Sequence, residues 1–310
     1  MQNETNWYII VNPAAGNGVA SRLWPNIKPV LLDRIPNATI VHTEYPDHAI
    51  ELVESAVKSG FRYFIAVGGD GTNHEMANGI LQQKIVPSTE ITYALLPVGT
   101  GNDWIKTYGI PKNINQWLDM LLRGNTFLQD VGILDYHKEG QKHLRYFVNV
   151  AGLAYDGFVV HFIERNKKKV KNSLFYLFMI VRCIFRYNLI KARITFNGQE
   201  DTGYHYTINA GICKYSGGGM SLVPHAISND GLIALTIAHR VTKLGVLLNS
   251  WRFYNDSITR HRKIQGFQTK EIFIAEMGEG PLLLEADGEF LGHTPVRITL
   301  QEKAFRIIVP

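Results

Sequence analysis

Phe64-Ile65-Ala66-Val67-Gly68-Gly69-Asp70-Gly71-Thr72-Asn73-His74-Glu75 is the stretch from which the fold of this chain is read. A β-branched apolar run stops at glycines around a single carboxylate, and a polar segment able to start a helix follows. Glycine lets backbone N–H groups approach a ligand closely. A turn from a strand into a helix N-terminus offers unpaired N–H donors and a favourable dipole to phosphate. Asp70 would repel phosphate unless a cation stood between them, so it points to Mg²⁺, a hard ion suited to carboxylate and phosphate oxygens. No Gly-Lys-Ser/Thr follows, so this is not a Walker A loop, and it does not match the dinucleotide Gly-x-Gly-x-x-Gly. Taken alone, it also reads as a plain glycine-rich βα turn.

Working outward, Trp7 to Val11 reads as a buried strand that ends in Asn12-Pro13-Ala14-Ala15-Gly16-Asn17-Gly18. Thr39 to Thr43 reads as a second strand. A helix is predicted from Asp47, as its N-cap, to a stop at Gly60, with Ala49, Leu52, Val53, Ala56 and Val57 at helical spacing. Tyr63 to Val67 is the next strand, and the helix after the opening loop runs through Ile80. Tyr93 to Leu96 then enters Pro97-Val98-Gly99-Thr100-Gly101-Asn102-Asp103. Strands alternating with helices predict a parallel α/β sheet, whose ligands bind at the carboxyl ends of the strands. Three glycine-rich loops fall at those ends. After Gly124 the pattern changes. Phe127 to Leu134, Arg145 to Ala151, Ala192 to Phe196, Tyr204 to Ile212, Leu232 to Ile237, Glu271 to Ala275, Leu282 to Ala286, Val296 to Leu300 and Phe305 to Val309 all read as strands. They predict a second, mainly antiparallel sandwich or barrel.

A length of 310 residues suggests two domains or one large one, and with 45% hydrophobic and 19% charged residues the chain can bury a full core. A net charge of +5 is compatible with an anionic cofactor, a membrane surface or nucleic acid. We expect no nucleic-acid partner. Cys183 and Cys213 are too few for a disulfide framework, which fits a reducing compartment. No secretory signal is expected, and the apolar run Leu174 to Ile184 is shorter than the roughly 20 residues that span a bilayer. The expectation is a cytoplasmic protein. Arg165, Lys167, Lys168, Lys169 and Lys171 precede that apolar run. They read either as a solvated loop or as an edge facing anionic phospholipid headgroups. The eleven histidines show no metal-ligand spacing and receive no role.

Asn12-Pro13 with its glycines, Gly68-Gly69-Asp70-Gly71-Thr72 and Pro97-Val98-Gly99-Thr100-Gly101-Asn102-Asp103 resemble the diacylglycerol kinase catalytic-domain family in order and spacing. That family includes bacterial lipid kinases and the sphingosine and ceramide kinases. Asn149-Val150-Ala151-Gly152-Leu153-Ala154-Tyr155-Asp156 resembles its Gly-x-Gly-Phe-Asp stretch, with Leu153-Ala154 in place of the usual Ile-Gly. Gly217-Gly218-Gly219-Met220, Asn229-Asp230-Gly231 and Asp287-Gly288-Glu289 also match. The first loop is shared with NAD kinases and phosphofructokinases, whereas the combination with the last two motifs belongs to the lipid kinases.

The resemblance implies an N-terminal nucleotide-binding α/β domain, residues 1–126 with 296–310, and a C-terminal β-sandwich for the lipid, residues 127–295. The last strand would return to the first domain near Pro295, and the active site would lie in the cleft between the two. It implies ATP and Mg²⁺ held by Asn12, Pro13, Gly16, Thr43, Gly68, Gly69, Asp70, Gly71, Thr72, Asn73, Glu75, Gly99, Thr100, Gly101, Asn102 and Asp103. It implies Asp287 and Glu289 as the source of the proton acceptor, with the choice between them open; by spacing alone they make a hairpin turn. It further implies a structural metal at Asp230, completed by the carbonyls of Ile227 and Leu232. The activity implied is transfer of phosphate from ATP to a lipid hydroxyl at a membrane surface. The alternatives are a kinase of NAD or a soluble metabolite, and a nucleotide-binding regulator without catalysis. A homodimer is left open.

Overall fold

The computed structural model describes residues 5–99, 101–166, 173–278 and 280–310, without the side chains of 173–177. The chain divides into two compact units, Met1–Val131 with Glu302–Pro310, and Gly132–Gln301.

In the first unit the elements are β1 (Trp7–Val11), α1 (Ala15–Arg34), β2 (Thr39–His42), α2 (His48–Lys58), β3 (Tyr63–Gly68), α3 (Asp70–Gln82), β4 (Thr92–Pro97), α4 (Trp104–Tyr108), α5 (Ile114–Arg123) and the start of β5 (Thr126–Lys138). The strands are parallel in the order β2-β1-β3-β4, with Ile9 opposite Ile65 and Ile65 opposite Ala94. β3 and β4 are buried on both faces, which explains their unbroken apolar runs. The chain end closes this sheet: Arg306 and Ile307 pair parallel with Thr92 and Tyr93. α5 is capped by Asn113, whose side chain accepts from the N–H groups of Asn115 and Gln116. Asp47 stands at the start of α2 as predicted, but its side chain caps nothing. Its φ of 63° is left-handed, unlike the extended backbone of a capping residue, and Glu75 Oε2 instead accepts from the Ala49 N–H at 3.3 Å. The sequence reading omitted α1, whose internal Pro25 and Pro29 disguise it and which buries only Ala20, Trp24 and Leu31.

The second unit contains β6 (Gln141–Phe147), β7 (Val150–Ala154), α6 (Tyr155–Arg165), α7 (Ser173–Arg186), β8 (Ile190–Phe196), β9 (Gln199–Gly211), β10 (Tyr215–Ser216), β11 (Met220–Ser221), β12 (Ile233–His239), α8 (Lys243–Asn249), β13 (Ile264–Thr269), β14 (Ile272–Glu276), β15 (Leu283–Ala286) and most of β16 (Glu289–Ile308). Antiparallel pairing closes on itself through β7, β9, β8, β14, β16 and β15, and β12 and β13 continue from the other edge of β9. Ile194, Ile208, Ile272, Ile274, Leu284 and Ile298 fill the interior. Two strand predictions change here. The single strand read over Arg145 to Ala151 breaks at Val148-Asn149, whose N–H groups bind a side chain. The two strands read after Val296 are one continuous β16.

Candidate active site

In the first unit the three glycine-rich loops follow β1, β3 and β4 and meet at the carboxyl ends of those strands. Asn12 Nδ2 donates to Thr72 Oγ1 at 3.0 Å, joining the first loop to the second. Asp70 Oδ1 accepts from the N–H groups of Asp103 at 2.9 Å and Trp104 at 3.3 Å, joining the second to the third. A Cβ on Gly99 would stand 2.8 Å from the Gly69 Cα, so any larger residue would force these loops apart. Gly16, Asn17 and Gly18 all adopt positive φ, a left-handed turn that sets the first loop against Val98 and Gly99.

Several residues predicted to touch nucleotide are shown here holding the loops. Asn73 is buried, and its Oδ1 accepts from the Tyr93 hydroxyl at 2.8 Å. Burial first, and the charge of Asp70 second, push that phenol well above its ordinary pKa, so it stays a donor. Thr72 is buried against Asn12, Glu75 caps α2, and the Thr43 N–H donates to the Val11 carbonyl at 2.9 Å. Asp103 is buried and its Oδ1 meets Lys106 Nζ at 2.6 Å. Asn102 donates to the Gly99 carbonyl at 2.7 Å, while its Oδ1 is buried without a hydrogen-bond partner. Thr100 lies outside the described residues.

In the second unit Asp287 and Gly288 are the two-residue turn between β15 and β16, across which Ala286 pairs with Glu289. Both have positive φ, 52° and 86°, as a tight Asp-Gly hairpin requires. The hairpin geometry read from spacing is therefore present, with Gly288 exposed, but the Asp287 side chain is not solvated. Asp287 is 4% exposed; its Oδ2 accepts from the Val148 N–H at 3.1 Å and its Oδ1 from the Asn149 N–H at 2.9 Å. Beneath the turn lies a carboxylate to which sequence reasoning gave no role: Glu285 Oε2 accepts from the Gly288 N–H at 2.9 Å. Burial, reinforced by the charge of Asp156, pushes Glu285 well above the usual carboxylate range. Asp156 is itself raised to about 6 by burial, against the opposing hydrogen bond from Thr207 Oγ1 at 2.7 Å. A Cβ on Gly152 would meet Glu285 Oε1 at 2.6 Å and Asn209 Oδ1 at 3.2 Å, so the carboxylates need that glycine. The available signal for Glu285 was a lone acid inside the apolar run Leu282 to Ala286.

Asp230 Oδ1 accepts from the Leu232 N–H at 3.0 Å and Oδ2 from Gln268 Nε2 at 3.1 Å, an Asx turn. Lys167, Lys168, Lys169 and Lys171 lie outside the described residues.

The chain is similar to known proteins over nearly its whole length. Residues 6–134 match the family model of the diacylglycerol kinase catalytic domain, and residues 149–309 match that of the YegS C-terminal NAD kinase beta sandwich-like domain. The Bacillus subtilis (strain 168) protein YtlR, named provisionally as a lipid kinase, is 26% identical over 98% of this chain and 99% of its own. A diacylglycerol kinase of Staphylococcus epidermidis is 26% identical over 97% of this chain and 91% of its own. The crystal structure of a diacylglycerol kinase from Bacillus anthracis str. Sterne has this fold, with a TM-score of 0.72 at 24% identity over 100% and 98% of the two chains. Yeast NADH kinase shares it more distantly, with a TM-score of 0.56 at 12% identity over 100% and 84%. With residues 6–134 and 149–309 accounted for by these two models, the chain belongs to the diacylglycerol kinase catalytic-domain family.

Proposed function

We propose that this protein transfers the γ-phosphate of ATP to the hydroxyl of a membrane lipid, diacylglycerol or a close relative. The observation that carries the reading is Asp287: a carboxylate fixed by two backbone N–H groups in a strained turn, in a kinase family whose chemistry needs a proton acceptor. A carboxylate has about four lone-pair positions, and one held in place can take the proton of a hydroxyl as it attacks. Phosphoryl transfer otherwise depends on positioning and charge stabilisation. The loops at Asn12 to Gly18, Gly69 to Thr72 and Gly99 to Asp103 offer backbone with no side chain in the way. The donor set fits a hard cation: Asp70 and Asp103 supply carboxylate oxygens, and Asn102, next to Asp103 in sequence, has a buried Oδ1 without a hydrogen-bond partner. Mg²⁺ held there would neutralise phosphate charge.

The lipid reading has support of its own. Among the described residues no helix is long and apolar enough to cross a membrane. α8 and the turn after it nevertheless leave Leu244, Leu248, Trp251 and Tyr254 each more than half exposed. Arg252 lies over the Trp251 ring at 4.8 Å, and Lys243 Nζ reaches the carbonyl of the exposed Phe185. Apolar side chains interleaved with cations suit acyl chains beneath anionic headgroups. The test is incubation with labelled ATP and a mixed lipid extract, with parallel arms supplying NAD and soluble alcohols. Label in a phospholipid product supports the proposal; label only in a soluble product replaces the acceptor, and nucleotide binding without transfer to any acceptor makes the chain a regulator.

A further inference from the structure

Asp201, His205, His239 and Gln265 come together on three neighbouring strands of the second unit. Asp201 and His205 lie four residues apart on β9, hence on one face. His239 ends β12, and Gln265 on β13 is paired with Ile237, two residues before His239 and therefore on its face. Regular pairing would leave His205 on the opposite face. β9 and β12 pair Ala238 with Thr207, and the next pair should be His239 with Tyr206; instead a bulge makes it His239 with His205. One extra residue thus turns His205 onto the face that His239 and Gln265 share.

The polar atoms then converge. His205 Nε2 lies 3.4 Å from Asp201 Oδ1, His239 Nε2 lies 3.6 Å from Asp201 Oδ2, and His239 Nε2 lies 3.3 Å from Gln265 Oε1. One ligand atom from each of Asp201, His205 and His239 falls within 4.8 Å of the others. Ligands about 2.0–2.2 Å from a tetrahedral zinc ion stand roughly 3.4 Å apart. His205 is completely buried, with its Nε2 turned toward Asp201 Oδ1. Two imidazoles, a carboxylate and an amide oxygen, without sulfur, favour Zn²⁺ and its first-row neighbours over Mg²⁺.

We infer that Asp201, His205 and His239, assisted by Gln265, form a divalent transition-metal site of the Zn²⁺ class that fastens β9, β12 and β13 at one end of the barrel. The site is independent of phosphoryl transfer.

The experiment uses the full-length chain stripped with chelator and titrated with Co²⁺, followed by Zn²⁺ competition. The expected result is one equivalent of Co²⁺ with the visible absorption of a tetrahedral ion, displaced by one equivalent of Zn²⁺, and a thermal midpoint raised by Zn²⁺. His239→Gln should weaken binding at least 10-fold. Gln265→Glu, at an exposed position, should tighten it, because a carboxylate is the better ligand. The inference is overturned if wild type shows no stoichiometric Co²⁺ band, or if binding is unchanged in both His239→Gln and Gln265→Glu. The second variant keeps the test decisive should the first fail to fold.

Discussion

Asp287 is held by the Val148 and Asn149 N–H groups while its backbone stays left-handed at a φ of 52°, so its carboxylate cannot wander. Asp287→Asn keeps the size and cannot accept a proton at neutral pH. It should lower the lipid phosphorylation rate by about 10²–10⁴, with ATP affinity unchanged in equilibrium titration. Glu289→Gln should cost less. Near wild-type rates in both variants would move the base elsewhere. Asp156 permits a different test, of stability. Its folded pKa of about 6 lies above the ordinary value of 3.8, so the folded chain holds the proton more tightly than the unfolded chain. Stability from this group is therefore lost as pH rises from about 4 to about 6, and stays lost above. Part of Asp156 keeps contact with solvent, so the loss is about 2 kcal/mol rather than the full ~3. Asp156→Asn should gain that amount over wild type between pH 4 and pH 7 in urea unfolding; parallel pH curves for the two proteins would refute it.

At the scale of elements, Asp70 joins the end of β3 to the start of α4 by accepting the Asp103 and Trp104 N–H groups. Asp70→Ala removes this cap, at about 0.5–2 kcal/mol, and the carboxylate proposed for Mg²⁺. A modest drop in thermal midpoint should accompany a severe loss of Mg²⁺-dependent ATP turnover; wild-type turnover would remove Asp70 from the site. The exposed face of α8 gives the second element-scale prediction. Leu244→Glu with Leu248→Glu should weaken sedimentation with anionic vesicles several-fold and leave the circular dichroism spectrum unchanged. The wild-type interaction should also fade with salt, because exposed charges are screened within about 8 Å at physiological ionic strength. Equal sedimentation of variant and wild type would make this face an ordinary surface.

At the scale of the whole molecule, the chain leaves the first unit in β5 and re-enters it at the end of β16. Phe305 and Ile307 are fully buried there, and the Phe305 ring lies 5.1 Å from Tyr93. Each such side chain contributes about 1.5–3 kcal/mol, against a typical stability of 5–15 kcal/mol. Removing residues 302–310 should therefore abolish ATP binding through unfolding of the first unit, seen as loss of amide protection in β4. Retained binding would show the strand dispensable. The sequence by itself determined the parallel strands, because β1, β3 and β4 are buried runs that lead into glycine-rich loops, and it determined the three loops and the Asp287 turn, because these need glycine and short polar residues at fixed local positions. It could not show α1, where prolines hide the helix, nor the break at Val148-Asn149, which exists only because Asp287 arrives from far along the chain. Only the tertiary structure decided the partnership of Glu285 with Asp156, since burial and neighbouring charge are not local properties. Only the tertiary structure decided, likewise, that His205 faces His239: one inserted residue in a ladder reverses the side-chain alternation, and the pairing that reveals it joins strands the sequence keeps apart.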